Sequence, residues 1–266
     1  MCLTVVTGAT DGVGKAYAEL LAQQGLNVVL ISRTQAKLDD VASKIESTYK
    51  VQTKTIAVDF TESEQIYYDI EKQLTGIEVG VLINNVGMSY PYPEFFLEVS
   101  NKEKLYPNLI NCNILSVTNM CKIVMPGMVE RRKGVVVNVS STAAQIPSPL
   151  LAIYGATKAY VDKFSDDLST EYSKYGIIVQ CVLPGYVATK MSKIRSATWM
   201  APSPHTYVKS ALKTIGIQEH TTGYFPHSLL VGVIHSLRYI SPSLEKWLVM
   251  RTMINIKSRA IRRHAQ

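Results

Sequence analysis

Short β-branched runs alternate with longer helical patterns from Leu3 to Leu183, and this alternation limits the possible folds more than any other feature. The predicted strands are residues 3–7, 27–31, 53–58, 80–84, 134–139 and 177–183. Apolar positions at helical spacing predict helices at 13–24, 35–49, 62–74, 105–131 and 153–175. Strands that are apolar on both faces and separated by helices are typical of a parallel sheet covered on both sides. We therefore predict an α/β protein.

The length and composition favour one domain. A chain of 266 residues, 47% of them hydrophobic and 18% charged, is long enough to bury one sizeable core. No linker or repeat interrupts residues 1–266, so we expect a single domain. After Leu183 the pattern becomes irregular, and residues 186–205 are predicted to form a substrate loop. Residues 224–266 are predicted to form a short helical extension with a basic tail.

Positive charge is concentrated at the C-terminus. The formal net charge is +7, and five of the positive charges come from Arg251, Lys257, Arg259, Arg262 and Arg263. Two interpretations stay open, namely contact with an anionic membrane surface and an ordinary solvated helix end. Nucleic acid is not an expected partner, because the chain lacks zinc-finger spacing and the aromatic and basic alternation of RNA-recognition segments.

The cysteines and the apolar runs predict neither a metal site nor a membrane span. Cys2, Cys112, Cys121 and Cys181 form no CxxC pair and no metal-ligand cluster, so we expect reduced thiols. Met1 directly precedes the first predicted strand, and the apolar run at 229–234 is too short to cross a bilayer. We therefore expect no signal peptide and no transmembrane segment in this chain.

Residues 7–14 read TGATDGVG and join the first predicted strand to the first predicted helix. Glycines here permit a tight turn and a close approach to a pyrophosphate, whose charge the helix N-terminus stabilises. The candidate dinucleotide-binding residues are Gly8, Thr10, Asp11, Gly12, Val13 and Gly14. The alternative, a glycine-rich turn without a ligand, is less favoured because of the flanking strand and helix.

The end of the second strand predicts which nucleotide binds. Sites for NAD usually place an acid there for the ribose, whereas this chain has Ser32 and Arg33. A guanidinium suits a 2'-phosphate, so NADPH is the predicted cofactor, and the alternative is a surface arginine without a ligand. Asp59, after the third strand, is a candidate to hydrogen-bond the edge of the adenine ring. Asn85 and Gly87 follow the fourth strand, where a glycine permits close approach of the cofactor.

The pattern YxxxK occurs three times, at Tyr68 and Lys72, Tyr154 and Lys158, and Tyr186 and Lys190. Spacing does not distinguish them, and a serine thirteen residues upstream precedes both Tyr154 (Ser141) and Tyr186 (Ser173). Context favours Tyr154 and Lys158, because Ser141 follows a buried strand and the pair begins the next helix. We interpret the other two pairs as ordinary surface residues.

The chemistry of ketone reduction explains why these residue types are needed. Tyr154 is predicted to give a proton to the developing alkoxide. A lysine cation at about 4 Å and an effective dielectric of about 20 would supply the roughly 4 kcal/mol that brings a tyrosine pKa of about 10 near neutrality. Lys158 is also predicted to hold the nicotinamide ribose, and Ser141 to donate to the substrate carbonyl. Asn113 is predicted to hold a water of the proton relay or, alternatively, to bond its own helix backbone.

The motifs TGATDGVG, NNVG, Asn113, Ser141, YGATK and PGYVAT occur in the order of the short-chain dehydrogenase/reductase family, which the chain resembles over nearly its whole length. The resemblance implies a single Rossmann-type, doubly wound parallel sheet of about seven strands, and a homodimer. It also implies that Pro184, Gly185, Val187 and Thr189 join the cofactor site.

Longer segments, such as LISRTQAKL and PSPLLAIYGATKAYVDKFS, are similar to a branch of NADPH-dependent ketoreductases of the endoplasmic reticulum membrane. This resemblance implies a small lipid substrate at the cytosolic face, with a 3-oxoacyl-CoA of fatty-acid elongation preferred and a steroid ketone as the alternative. A soluble cytoplasmic enzyme and a catalytically silent membrane-associated scaffold are further alternatives. The presence of Tyr154 argues against the scaffold.

Overall fold

A seven-stranded sheet forms the centre of the fold in the computed structural model, which describes residues 3–62 and 64–264. The strands are β1 (Leu3–Thr7), β2 (Asn27–Ser32), β3 (Thr53–Ala57), β4 (Val79–Asn84), β5 (Gly134–Val139), β6 (Ile177–Val182) and β7 (His220–Thr221). They pair in parallel in the order β3-β2-β1-β4-β5-β6-β7, which confirms the doubly wound Rossmann-type sheet. The order reverses beside β1, where such sheets leave a crevice beyond the carboxyl ends of the strands.

Helices cover both faces of this sheet. They are α1 (Gly12–Gln23), α2 (Gln35–Tyr49), α3 (Gln65–Leu74), α4 (Lys102–Ile110), α5 (Ser116–Glu130), α6 (Ala152–Tyr172), α7 (Pro204–Ala211), α8 (Phe225–Ile240) and α9 (Pro242–His264). A π-helical turn, Asn111–Leu115, joins α4 to α5 without a break. The predicted helix 105–131 is therefore one continuous helical stretch of changing hydrogen-bond pattern.

The strands divide their side chains between two cores. In β1 and β2, Val6, Val28 and Leu30 pack under α1 and α2, and Val5, Val29 and Ile31 pack on the opposite face toward α3 and α5. Burial on both faces explains why these strands are continuously apolar.

One predicted boundary differs from the structure, and two short elements were not predicted. The third helix begins at Gln65 rather than at residue 62, because the Asp59 carboxylate accepts from the Thr61 N–H and turns the chain. The strand β7 has two residues, too few for a hydrophobic pattern, and was not predicted. The helix α7 begins inside the stretch predicted to be irregular, where the Ser203 side chain caps it.

The C-terminal extension consists of two helices, α8 of 16 and α9 of 23 residues, so it is longer than the short extension predicted. A buried Glu245 carboxylate, 2.9 Å from Arg238 Nε, joins them. The helix α9 is tied back to the domain by an ion pair between Lys257 and Glu94. Lys257 is thereby removed from the predicted basic tail, and the side chain of Arg263 lies outside the described residues.

One helical stretch of the described chain, Lys102–Glu130, is apolar and long enough to cross a membrane by length and composition. Half of its most apolar window is buried in the protein, and Met120, Val124 and Met128 pack in the core beneath it. We interpret it as a core helix of the fold.

Candidate active site

The loop between β1 and α1 has the geometry that its glycines predict. Gly8 and Gly12 adopt φ values of +65° and +54°, which favour glycine. A Cβ on Gly14 would lie 2.3 Å from both the Gly8 carbonyl oxygen and Asn85 Nδ2, so this position requires glycine for packing. The Asp11 carboxylate accepts from the Gly12 N–H at 2.8 Å and caps the helix. The result is a tight loop at a helix N-terminus, as an anion site requires.

The carboxyl ends of β2 and β3 bring together residues that the sequence suggested separately. The hydroxyls of Thr10 and Ser32 lie 2.9 Å apart. The guanidinium of Arg33 is 74% exposed and lies 3.8 Å from the Asp59 carboxylate. Asp59 also accepts from the Thr61 hydroxyl at 2.8 Å, which fixes its orientation. Polar side chains, including the solvent-exposed guanidinium of Arg33, therefore border the glycine loop.

Asn85 and Gly87 connect the glycine loop to the middle of the site. Asn85 Nδ2 donates to the Thr7 carbonyl at 3.0 Å, and the Thr7 hydroxyl accepts from the Asn85 N–H at 3.0 Å. A Cβ on Gly87 would lie 3.3 Å from Asn113 Oδ1 and 3.4 Å from Lys158 Nζ. Glycine at this position allows both side chains to come close to the β4 end.

Lys158 is buried, with 5% of its surface exposed. Its Nζ donates to the Val139 carbonyl at 3.0 Å, at the end of β5, and its own carbonyl accepts from the Ser140 hydroxyl at 2.7 Å. Burial lowers the pKa of Lys158 to about 8. The ammonium is thus still mostly protonated at neutral pH.

Tyr154 and Ser141 meet in the same cleft, as predicted. The Ser141 hydroxyl caps a short 3₁₀ turn by accepting from the Ala143 N–H at 3.2 Å, and it hydrogen-bonds the Tyr154 phenol. Lys158 Nζ lies 6.0 Å from the centre of the Tyr154 ring. Burial raises the pKa of Tyr154, and the Ser141 hydrogen bond opposes this only in part. The expectation that a lysine at 4 Å brings this pKa near neutrality is therefore wrong for the protein by itself.

Asn113 lies in the π-helical turn and is 1% exposed. Its Oδ1 accepts from the Met88 N–H at 2.8 Å, and its Nδ2 donates to the Met88 carbonyl at 3.0 Å and to the Thr157 hydroxyl at 2.9 Å. The alternative that this side chain bonds its own helix backbone is wrong. It joins the β4 end to α6, and its place in a water relay stays a prediction.

Both residues of the third YxxxK pair are exposed, as predicted for surface residues, yet they border the site. Lys190 Nζ lies 2.7 Å from the Asp11 carboxylate of the glycine loop, and Tyr186 is close enough to raise the pKa of Tyr154. The chain after β6 folds back over the site, which the spacing of the motif does not reveal. Tyr68 on α3 is likewise exposed, at 63%, as predicted for a surface residue.

The remaining predicted cofactor residues follow β6. Thr189 lies against the glycine loop, since a Cβ on Gly12 would be 3.2 Å from Thr189 Cγ2. Val187 is buried, and the Pro184 carbonyl accepts from the Thr142 N–H at 3.0 Å. Gly185 packs so closely on His227 that a Cβ would lie 2.9 Å from the imidazole ring. No sequence motif had singled out His227.

A cavity of about 540 Å³ opens beside the C-terminal extension. It is lined by Gln145, which follows the Ser141 turn, and by Ser228, Val231 and His235 of α8. No residue of the predicted substrate loop lines it. The cavity therefore lies between the Ser141 turn, the β7 region and α8.

The cysteines form no metal-ligand cluster in the sequence, but the fold brings one of them close to two other residues of metal-ligating types. Cys181, Asp162 and His220, from β6, α6 and β7, place their ligand atoms within 4.8 Å of one another. The contact of His220 Nδ1 with Asp162 at 3.2 Å and a hydrogen bond between Cys181 and Asp162 account for the grouping. Cys112, Cys121 and Cys181 are unpaired thiols, as predicted, and Cys2 lies outside the described residues.

Comparison with known proteins agrees with this arrangement. The family model for short chain dehydrogenases matches residues 3–199. The chain belongs to the short-chain dehydrogenase family. The very-long-chain 3-oxoacyl-CoA reductase of Bos taurus is 56% identical over 247 residues, which are 93% of this chain and 77% of that protein. Its namesake from Homo sapiens is 52% identical over 252 residues, 95% of this chain and 78% of that protein.

Among solved structures, a short-chain dehydrogenase from Sphingobium yanoikuyae in complex with NADPH superposes with a TM-score of 0.75 at 29% identity. The match covers 84% of this chain and 87% of that one. As a short-chain dehydrogenase, the protein is an oxidoreductase that uses a nicotinamide cofactor. The positive φ values in the glycine loop and the contact of Thr189 with it fit such a dinucleotide.

Proposed function

We propose that this short-chain dehydrogenase reduces a 3-oxoacyl-CoA to a 3-hydroxyacyl-CoA with NADPH, a step of fatty-acid elongation. The observation that carries the proposal is the meeting of Ser141, Tyr154 and Lys158 in one cleft beside the glycine loop. The identity of 56% with a very-long-chain 3-oxoacyl-CoA reductase over 93% of the chain supports the substrate class.

Support for NADPH over NADH comes from the end of β2. A 2'-phosphate bears negative charge that the exposed guanidinium of Arg33 and the hydroxyl of Ser32 would receive. The pyrophosphate would lie on the glycine loop, with Gly8, Thr10, Asp11, Gly12, Val13 and Gly14. The adenine edge would meet Asp59, and the nicotinamide end would meet Asn85, Gly87, Pro184, Gly185, Val187 and Thr189.

When bound, the nicotinamide supplies a hydride to the substrate carbonyl carbon. Ser141 then donates a hydrogen bond to the carbonyl oxygen and stabilises its growing negative charge. Tyr154 transfers its phenolic proton to that oxygen. The buried ammonium of Lys158, at 6.0 Å from the ring centre, would favour the resulting phenolate electrostatically and oppose the burial that raises its pKa. Asn113 holds the Met88 backbone. Through a bound water it would also help to return a proton to Tyr154 after each turnover.

A steroid ketone is the second candidate substrate, and a silent scaffold is the candidate from another class. The assay that separates them follows the loss of NADPH absorbance with a long-chain 3-oxoacyl-CoA, with a 17-keto steroid and with NADH in place of NADPH. We expect turnover of the acyl-CoA with NADPH as the preferred cofactor. Turnover of the steroid alone would contradict the proposed substrate.

The variant Tyr154→Phe tests the acid role. We expect kcat to fall by about 10²–10⁴-fold, the usual contribution of a positioned acid, while NADPH binding persists. The matched control is Tyr160→Phe on the same helix, where a half-exposed phenol contacts Thr118 at 3.1 Å. Equal activity in Tyr154→Phe and the control would contradict the assignment.

We further propose that residues 1–266 act as one functional domain at the cytosolic face of the endoplasmic reticulum membrane. Residues 186–205 would form the substrate loop and residues 224–266 the C-terminal extension. The exposed Tyr239, Ile240 and Trp247 support membrane surface contact, since aromatic and apolar residues favour the interface. A homodimer, as in the family, is the alternative use of exposed apolar surface.

A further inference from the structure

His227, in the first turn of α8, is fully buried and hydrogen-bonds three backbone groups of the chain that follows β6. Its Nδ1 accepts from the Gly185 N–H at 3.1 Å. Its Nε2 lies 3.1 Å from the Tyr186 carbonyl and 3.2 Å from the Met200 carbonyl. One side chain of the C-terminal extension therefore holds the start of the 186–205 loop and Met200 in its second half.

These contacts determine the tautomer of the ring. Nδ1 faces an N–H donor and must present its lone pair, while Nε2 faces two carbonyl acceptors and must carry the hydrogen. Only the neutral imidazole satisfies all three partners. The phenol rings of Tyr207 and Tyr224 pack on the imidazole, with centroids at 5.7 and 5.2 Å. Burial accordingly lowers the pKa of His227, which favours the neutral form.

The held segment borders the catalytic group. The Pro184 carbonyl, one residue before Gly185, accepts from the Thr142 N–H at 3.0 Å and lies 3.5 Å from the Ser141 hydroxyl. Tyr186, whose carbonyl meets His227, acts electrostatically on Tyr154. The chain between Pro184 and Tyr186 is thus fixed on one side by the Ser141 turn and on the other by His227.

We propose that His227 is a positioning residue, which holds Pro184–Tyr186 and Met200 of the substrate loop in the register that ketone reduction requires. The inference rests on the proposed function for its substrate and extends it to a residue of the C-terminal extension. Loss of the imidazole would release the loop from the Ser141 and Tyr154 cleft while the glycine loop stays intact.

The principal variant is His227→Phe, which keeps the buried ring and removes all three hydrogen bonds. We expect kcat with the 3-oxoacyl-CoA to fall at least tenfold and its KM to rise, with NADPH affinity changed less than threefold. Tyr68→Phe on α3 is the control, since that phenol is 63% exposed and lies outside the site, and it should behave like the unmodified protein. His227→Asn and His227→Gln keep the Nδ1-type acceptor and the Nε2-type donor respectively, and each should recover part of kcat.

Two substrate-free readouts separate this proposal from the proposed function. Trypsin should cleave His227→Phe faster at the exposed Lys190, Lys193 or Arg195 of the loop. In a Trp247→Phe background, the emission of Trp199, which precedes Met200, should shift between His227→Phe and the parent. If the unmodified protein fails to turn over the acyl-CoA while both readouts respond, only the substrate assignment fails.

The pH profile adds an independent check. Because the native pKa lies below the ordinary value of about 6.5, the neutral ring is present above pH 6.5 and is lost as the pH falls through the native pKa. The kcat/KM of the unmodified protein should therefore fall on the acid side, and His227→Gln should lack that acid limb. Unchanged kcat and unchanged tryptic cleavage in a folded His227→Phe would overturn the proposal. A lower Tm alone, with normal kcat, would reduce His227 to a structural role and overturn it as well.

Discussion

At the scale of residues, Lys158 shows how function and stability oppose each other in this protein. Its ammonium is buried beside Tyr154, and the Val139 carbonyl is its hydrogen-bond acceptor. A pKa lowered from 10.5 to about 8 means that the folded state disfavours the charge. The shift corresponds to about 3 kcal/mol of destabilisation below pH 8. In the proposed reaction, this charge is the cation that favours the Tyr154 phenolate.

Lys158→Met should therefore stabilise the fold while abolishing reduction. We expect the free energy of unfolding at pH 7 to rise by about 1–3 kcal/mol, less than the full shift because the Val139 carbonyl loses its donor. Urea unfolding measures the change, and Lys209→Met on α7, where the lysine is exposed, is the control, expected within about 0.5 kcal/mol.

The pH dependence of the free energy of unfolding shows whether the buried Lys158 charge destabilises the fold. Between pH 8 and about 10 the unfolded chain keeps the Lys158 proton and the folded protein releases it, so the unmodified protein should gain stability as the pH rises. Lys158→Met should lack this gain. A variant less stable than the unmodified protein at pH 7, or one that keeps the gain, would show that the buried charge is not destabilising.

At the scale of elements, glycine is surrounded by other atoms in the loop between β1 and α1, whereas a glycine of α8 has open space beside it. In the loop, Gly14 has the Gly8 carbonyl and Asn85 Nδ2 where a Cβ would stand. In α8, a Cβ on Gly232 would meet no atom within 4 Å beyond its own helix. The same substitution should therefore have opposite effects at the two positions.

Gly14→Ala should weaken NADPH binding at least tenfold and lower stability by about 1–3 kcal/mol, because the glycine loop must shift to admit the methyl group. Gly232→Ala should raise stability by up to about 1 kcal/mol and leave NADPH binding unchanged, since alanine favours the helix. Thermal unfolding and a fluorescence titration with NADPH measure both. Equal NADPH affinity in the two variants would contradict the packing role of Gly14.

At the scale of the whole molecule, the C-terminal extension leaves apolar surface exposed next to basic residues. Tyr239 is 93% and Ile240 78% exposed, and the Arg251 guanidinium lies 5.2 Å from the Trp247 ring centre. Apolar area combined with cationic charge favours an anionic lipid surface. This combination predicts peripheral membrane binding that weakens as salt is added.

Co-sedimentation with phosphatidylserine-containing vesicles measures that binding. We expect the double variant Tyr239→Ser with Ile240→Ser to lose most of it. The matched control replaces Tyr68 and Ile217, which are 63% and 79% exposed elsewhere on the surface, and should bind as the unmodified protein does. Equal loss in both double variants would contradict a specific face. A change of oligomeric state with unchanged vesicle binding would instead assign the face to a dimer contact.

The sequence by itself determined the sheet, most helices and the candidate catalytic residues, because those depend on local periodicity and on residues adjacent to strand ends. Six of the strands were predicted within one or two residues, and Ser141, Tyr154 and Lys158 do meet in one cleft. Parallel strands place their carboxyl ends at one edge of the sheet, so residues that follow the strand ends gather at that edge.

Only the tertiary structure decided what lies over that edge. Lys190 contacts Asp11, 179 positions away in the sequence, and His227 hydrogen-bonds Gly185, 42 positions away. The pKa of Tyr154 is likewise set by burial rather than by the i+4 lysine that spacing suggested. Contacts between distant segments and the desolvation they cause leave no local pattern in a sequence, and for this protein they govern the loop, the charge states and the C-terminal extension.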